Sequence, residues 1–287
     1  MQLRHSERKK AKIKLALQGS AGSGKTYSSL LLAQGLTNGD FSKVAIIDSE
    51  NGSADLYSHL GQYNVLTLSP PFTPENYIKA IDVCVNAGME VIILDSISHC
   101  WDYLLDYHSN LSGNSFTNWG KITPMHKSFT DKMMQADVHI IATMRTKQDY
   151  VLNQKDGKYI PEKVGLKAVQ RDGLDYEFTV VFDVDIKHFA VSSKDRTGMF
   201  MGKPEFIINT FTGKKILEWC NSGTNLQEAR EKIKSTKTVE ELRKLYNQYS
   251  SWQKELDYDF KLQKETISVK ETLLNPLKSN INGSTYP

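Results

Sequence analysis

The chain has 287 residues, 39% hydrophobic and 24% charged, with a net charge of +3. That is an ordinary globular balance, enough for one α/β domain with an appendage and too weakly charged to demand a polyanionic partner. No apolar run approaches the ~18 residues that span a bilayer, no secretion signal follows the basic N-terminus, and the three widely spaced cysteines suit reduced cytosolic thiols, so a cytoplasmic protein without a membrane partner is expected.

Residues 1–12 form a basic arm, with Arg4, Arg8, Lys9, Lys10 and Lys12 against Glu7. The arm suits either nucleic acid or a solvated lead-in to an edge strand. From 13 to 220 short apolar runs alternate with amphipathic stretches, giving strands at 13–18, 44–48, 65–68, 91–95, 138–143, 179–186 and 189–193. Several of these runs are continuously apolar, as strands buried on both faces of a parallel sheet must be. One intervening helix is plainly marked: Thr73 caps it, Pro74 opens it, Tyr77, Ile78, Ile81 and Val85 make its apolar face, and Gly88 closes it. This βαβ rhythm predicts a three-layer α/β core with a mostly parallel sheet. Residues 221–224 read as a linker. The region 225–267 is helical, with a capping box at Thr238 and Glu241 and helical spacing of Leu242, Leu245, Tyr249, Trp252, Leu256 and Phe260, and a small hairpin of two helices is expected. Residues 268–287 read as a disordered tail.

Three motifs carry chemistry. Gly19-Ser20-Ala21-Gly22-Ser23-Gly24-Lys25-Thr26 lies between the first strand and an apolar helix, the context in which such a loop cradles phosphates. Its glycines let backbone N–H groups converge on an anion, Lys25 reaches the β- and γ-phosphates, Thr26 offers a hydroxyl to Mg²⁺, and Tyr27 continues the nucleotide-binding set. Val91-Ile-Ile-Leu-Asp95-Ser96 is an apolar strand ending in a carboxylate, the second place from which Mg²⁺ is held. The strand 44–48 leads into Ser49-Glu50. If it lies next to the first strand, Glu50 stands beside the γ-phosphate and can orient or deprotonate a water; otherwise it is a surface glutamate capping the next helix. His99, His108, His126, His139 and His188 lack metal-ligand spacing and read as structural or surface residues.

Together these three segments resemble the core of the RecA-like ATPases. Val169-Gln170-Arg171-Asp172-Gly173 and Lys194-Asp195-Arg196-Thr197 narrow the resemblance to the short phage-type members, single-strand annealing proteins among them, over about residues 11–205. The resemblance implies a RecA-like P-loop fold, ATP and Mg²⁺ as ligands, Glu50 and Lys25 as catalytic groups, and assembly as a ring or filament in which Lys194 and Arg196 reach a neighbour's nucleotide. Against that, the 12 residues before the first strand are shorter than the segment by which full-length recombinases link protomers, so filament geometry is not implied. Where relatives carry a γ-phosphate-sensing glutamine this chain has Met144-Arg145-Thr146-Lys147, leaving Thr143 and Arg145 as alternative sensors. Two segments are expected to be loops lining a channel for single-stranded DNA: 106–121, and 145–171 with Lys147, Lys155, Lys158, Lys163, Lys167 and Arg171. Cations there would track phosphates while tyrosines stack bases; the alternative is a mobile lid over the nucleotide. Trp119 reads as a core contact of the helix ending near 135 rather than a stacking residue. The function implied is a DNA-stimulated ATPase of phage recombination, repair or annealing, in the host cytoplasm, with a single-strand binding protein or helicase as further partner. The competing readings are a nucleotide-switched module that loads such a partner without touching DNA, and a small-molecule kinase, which the position of Glu50 disfavours.

Overall fold

The computed structural model describes residues 8–155, 158–223 and 226–279, the residues 148–166, 251 and 271–279 by their backbone only. The strands are β1 (Lys14–Gly19), β2 (Val44–Asp48), β3 (Asn64–Thr67), β4 (Val91–Asp95), β5 (His139–Lys155), β6 (Lys158–Ala168), β7 (Val180–Val184), β8 (Phe189–Asp195) and β9 (Phe206–Ile207). The helices are α1 (Lys25–Leu36), α2 (Pro74–Asn86), α3 (Ser98–Ser109), α4 (Ser115–Gln135), α5 (Thr210–Asn221), α6 (Leu226–Ser235), α7 (Val239–Gln248) and α8 (Gln253–Ser279).

The strands form one sheet in the order β3-β2-β4-β5-β1-β7-β8-β9, with β6 paired to β5 outside this path. From β3 to β7 the pairings are parallel, and β8 and β9 add an antiparallel edge. Side chains alternate between faces of a strand, so each apolar run feeds two cores. Leu15, Leu17, Ile46, Ile93 and Phe182 pack with Leu30 and Leu32 of α1 and Ile216 of α5. Ala16, Ile47, Ile92 and Leu94 pack with Tyr77 and Ile81 of α2, Cys100 of α3 and Phe129 of α4. This is the expected three-layer α/β core. Glycines set how closely two of its helices meet: a Cβ at Gly35 would lie 2.6 Å from the Gly213 Cα.

Chain contacts separate two compact units, 12–220 and a smaller one in which residues 8–11 join those from 221 onward. Of the basic arm, the described residues 8–11 are thereby tied down: Lys10 pairs with Glu228, and Lys9 Nζ lies 5.1 Å from the centre of the Trp252 ring. Among the described residues the C-terminal region contains three helices rather than a hairpin of two, closed around Ala229, Ile233, Leu242, Trp252, Leu256 and Phe260. Residues 268–279, expected as a disordered tail, continue α8; Ile267 is still buried in that core, so the helix has an anchor near its middle. Residues 280–287 lie outside the described ones.

Three further expectations change. β2 is not beside β1, because β4 and β5 lie between them. The segment 106–121 is mostly helical, the end of α3 and the start of α4, since Asn114 caps the latter through its side chain on Phe116 N. The supposed long loop 145–171 is mostly an antiparallel ribbon of β5 and β6, registered from Thr146↔Ala168 to Lys155↔Lys158. Among the described residues no helix is long and apolar enough to cross a membrane.

His139 opens β5 as a buried neutral acceptor: Ile13 N donates to its Nδ1 at 3.0 Å. Burial first, then the charges of Lys12 and Lys14, lower its pKa to about 3. An unfolded histidine titrates near pH ~6.5, so between there and about 3 the unfolded chain binds the extra proton and folding loses stability as pH falls, by at most ~1.4 kcal/mol per pH unit. His139→Gln should flatten that acid limb, measured as urea midpoints from pH 7 down to 5; an unchanged pH dependence would contradict the assignment.

Candidate functional site

Parallel strands in register end together, and here the ends carry the chemistry. Asp48 of β2 lies opposite Asp95 of β4, and Gly19 of β1 opposite Arg145 of β5. The loop 20–24 leaves β1 at this edge and starts α1, whose N-terminal amides present a positive dipole end. Gly24 has φ 85°, and a Cβ there would sit 2.9 Å from His188 Nδ1. His188 closes on the loop from the β7–β8 turn, with Nδ1 3.0 Å from Ser23 O. A carbonyl only accepts, so Nδ1 carries the proton. Lys25 Nζ folds back on its own loop, donating to Gly19 O at 3.0 Å and Ser20 O at 2.8 Å. Burial lowers its pKa against the raising charges of Asp95 and Glu50. Ala21 and Gly22 are exposed at the rim and Ser23 is buried beneath it.

Asp95 is 2% exposed, and both its oxygens are held by neutral hydroxyls. Thr26 Oγ1 donates to Oδ2 at 2.6 Å and Thr143 Oγ1 to Oδ1 at 2.5 Å. Burial raises the Asp95 pKa; the two hydroxyls pull against that, and the charges of Glu50 and Asp48 add to it. A buried carboxylate beside a threonine hydroxyl is a hard-oxygen donor pair, which suits Mg²⁺ completed by water and phosphate oxygens. Among the described residues no group of three or more His, Cys, Asp or Glu side chains could hold a metal by itself. Thr26 and Asp95 therefore fit an ion that arrives with a phosphate ligand rather than a resident metal.

Glu50 reaches this edge although β2 is two strands removed from β1. Asp48 shapes its loop, accepting from Glu50 N at 2.6 Å and from Ala54 N at 3.0 Å. Ser49 N donates to Asp95 O at 2.7 Å, which ties the loop to the end of β4. Ser96 Oγ then donates to Glu50 Oε1 at 2.9 Å. Arg145 grips the same carboxylate with both arms, Nε to Oε1 at 3.0 Å and Nη2 to Oε2. His99 Nε2 stands 3.9 Å from Oε1. Burial pushes the Glu50 carboxyl up, but the hydrogen bonds from Arg145 and Ser96 and the charges of Arg145 and His99 together outweigh it and hold it below the ordinary range.

The two candidate sensors thus divide: Thr143 holds Asp95, and Arg145 holds Glu50. Beside the phosphate loop lies a cavity of about 640 Å³ lined by Gly24, Thr26, Tyr27, Tyr57, His188 and Asn209. Tyr27 and Tyr57 rings are 5.7 Å apart. Tyr57, His188 and Asn209 were not singled out as ligand-facing by sequence. His188 in particular reads as one more isolated histidine, and only the pairing of β7 with β1 brings it to the loop.

Lys194 and Arg196 lie elsewhere in the unit's hydrogen-bond pattern. Lys194 Nζ donates to Asp175 O at 2.8 Å and Arg196 Nη2 to Tyr176 O at 2.8 Å. Asp195 between them accepts from Thr197 N and Phe200 N, both at 2.7 Å. Of the candidate DNA residues, Lys147, Lys167 and Arg171 line a cavity of about 750 Å³ with Trp101, Asp102 and Trp119. Lys167 also pairs with Asp172 at 2.8 Å. Trp119 stacks on His108 at 4.2 Å and on Trp101 at 6.1 Å. The side chains of Lys155, Lys158 and Lys163 lie outside those described; their backbones stand in β5 and β6.

Comparison with protein families finds that a model described as AAA domain matches residues 11–218. The matched span takes in the loop 19–26, Glu50, Asp95 and Arg145 and ends before α6. Comparison with curated proteins finds no match.

Thr143→Val keeps the shape of the side chain and deletes one of the two hydroxyls on buried Asp95. It should cost about 1–3 kcal/mol of stability at neutral pH, the usual penalty for leaving a buried polar group without its donor. Denaturant midpoints of parent and variant measure this; equal midpoints would mean that Asp95 does not depend on Thr143.

Proposed function

Because the chain belongs to the AAA domain family, and so is an AAA-type P-loop ATPase, we propose that it is a RecA-like ATP hydrolase stimulated by single-stranded DNA and serving recombination, repair or annealing of phage DNA. The convergence of Thr26, Asp95, Thr143 and Glu50 at one sheet edge, beside the phosphate loop, carries this reading. The N–H groups of 20–26 receive the phosphates, and Lys25 exchanges its two carbonyl partners for phosphate oxygens. The cavity beyond Tyr27 receives base and ribose between Tyr57 and His188, and an aromatic wall suits a purine. Mg²⁺, when bound with ATP at Thr26 and Asp95, would supply positive charge to the β- and γ-phosphate oxygens. Glu50 positions the attacking water and takes its proton, and the products are ADP and phosphate.

Lys194 and Arg196 make their observed hydrogen bonds to backbone carbonyls, and Asp175 and Glu177 act on Lys194 through space. In a ring or filament a neighbouring subunit would offer them to the transferring phosphoryl group. Single-stranded DNA is the partner that Lys147, Lys167 and Arg171 suit, cations spread around a cavity walled by Trp101 and Trp119.

Two outcomes test the reading. Glu50→Gln should bind ATP with parental affinity while hydrolysis falls about 10²–10⁴-fold, the range for loss of a general base; normal hydrolysis would remove Glu50 from the chemistry. Affinity for a single-stranded oligonucleotide should fall steeply with salt, and replacing Lys147 and Lys167 together with alanine should flatten the log–log slope by about 1.4. Absence of binding at low salt with nucleotide present would favour the partner-loading alternative.

A further inference from the structure

Beyond residue 218, where the family match ends, the chain builds α6, α7 and α8 into the smaller compact unit. None of the residues given a role at the sheet edge lies there. One face of α7 and one of α8 leave a groove between them. On α7 that face is Val239, Leu242, Arg243 and Tyr246, and on α8 it is Asp257, Phe260, Lys261 and Lys264. Both sets run i, i+3, i+4, i+7, the spacing of a single helical stripe. Leu242 and Phe260 are buried in the core of the unit, whereas Val239 and Tyr246 stay 40% exposed. The Tyr246 and Phe260 rings meet edge to face, with centroids 5.1 Å apart. The result is a groove of about 280 Å³ with an apolar floor.

The rim carries an excess of one charge. Arg243, Lys261 and Lys264 stand around the groove against one carboxylate, Asp257, and Lys261 takes that one, with Nζ 2.7 Å from Oδ2. The acids of α7 are engaged elsewhere: Glu240 pairs with Lys244 at 3.5 Å, and Glu241 accepts from Lys237 N at 3.4 Å. Arg243 and Lys264 make no ion pair and no hydrogen bond to a described residue. An apolar floor beneath two free cations calls for an occupant of the opposite pattern, large apolar side chains flanked by carboxylates. The groove is smaller than the ~300–1,000 Å³ of small-molecule pockets, so it has room for one or two side chains of a longer chain. The ends of this chain do not supply them: residues 280–287 contain no acid, and residues 1–7 carry Glu7 against Arg4. A nucleic-acid backbone answers the cations but brings no apolar side chain to the floor.

We propose that the α7–α8 groove is a docking site for an acidic segment of another protein. A large apolar side chain of that segment sits against Val239, Leu242 and Tyr246, and carboxylates on either side of it pair with Arg243 and Lys264. The smaller unit is then a recruitment module carried by the ATPase. Tyrosine and arginine, here on the same stripe, are among the residue types that dominate binding energy at such contacts. α7 is 10 residues long, about 15 Å, so a peptide of about twelve residues covers it, helical or extended.

Fluorescence anisotropy of labelled peptides with the full chain at low salt tests this. The probe is a pool of peptides of about twelve residues, long enough to cover α7, with Phe, Leu or Ile at every third position and Asp or Glu elsewhere. One control pool has Asn or Gln in place of the acids, a second has Lys or Arg there, and a third has Ser in place of the apolar residues. The acidic pool should bind at least about tenfold tighter than the amide and serine pools. The double variant Arg243→Glu, Lys264→Glu changes two exposed side chains. It should bind the acidic pool about tenfold more weakly than the parent does and gain affinity for the basic pool. An acidic pool that binds no tighter than the amide or the serine pool, or that the double variant binds as the parent does, overturns the docking site. If the double variant keeps peptide binding but loses affinity for an oligo-dT strand, or changes the mass of the chain by light scattering, the groove serves nucleic acid or a second copy instead, and the docking site is likewise overturned.

Discussion

The site is organised by one buried carboxylate. Asp95 ends β4 at the centre of the strand edge, and burial alone would drive it toward the neutral form. Two hydroxyls, Thr26 from the first turn of α1 and Thr143 from β5, satisfy it without neutralising it. Neutral donors hold a carboxylate in place and leave its charge for a cation, whereas an arginine would have consumed that charge. The three elements that meet at Asp95 are therefore fixed relative to one another by the group to which the proposed function gives the metal ion.

The second carboxylate is treated in the opposite way. Glu50 is partly exposed, is paired with Arg145, and is held below the ordinary carboxylate range by that pairing and by Ser96. Two acidic residues at one edge thus have distinct electrostatic environments, one poised for an ion and one held by a fork. The pair is bidentate, the strong form of a carboxylate hydrogen bond, and the Arg145 backbone beneath it is clamped through its N–H and its carbonyl.

The layers of the fold were legible in the sequence because β2 and β4 are continuously apolar and fill two cores at once, and Pro74 and Gly88 mark the ends of α2. The loop 19–26 and the Asp95 strand end were legible for the same reason: their chemistry is local in sequence. What depends on strand order was not. Glu50 was expected at the site through adjacency of β1 and β2, but arrives across β4 by way of Ser49 and Ser96. His188 and Tyr57 are isolated in sequence, and only pairing of distant strands and packing of the 3-10 turn Ser53–Leu60 bring them beside the loop. The ribbon of β5 and β6 was read as a loop for lack of apolar periodicity, although the sequence between the strands is Asp156-Gly157, a residue pair favoured in two-residue hairpins. Those two residues themselves lie outside the described ones.

The role given to Asp95 is tested most directly by the affinity of ATP with Mg²⁺ and with a chelator, measured by calorimetry on the parent and on Asp95→Asn. Asparagine retains the shape and an acceptor for one of the two hydroxyls but has no charge to offer a cation. The account predicts that Mg²⁺ tightens ATP binding in the parent and has little effect in the variant. A variant that keeps the full metal-dependent gain would contradict the account, because the ion would then be held without Asp95.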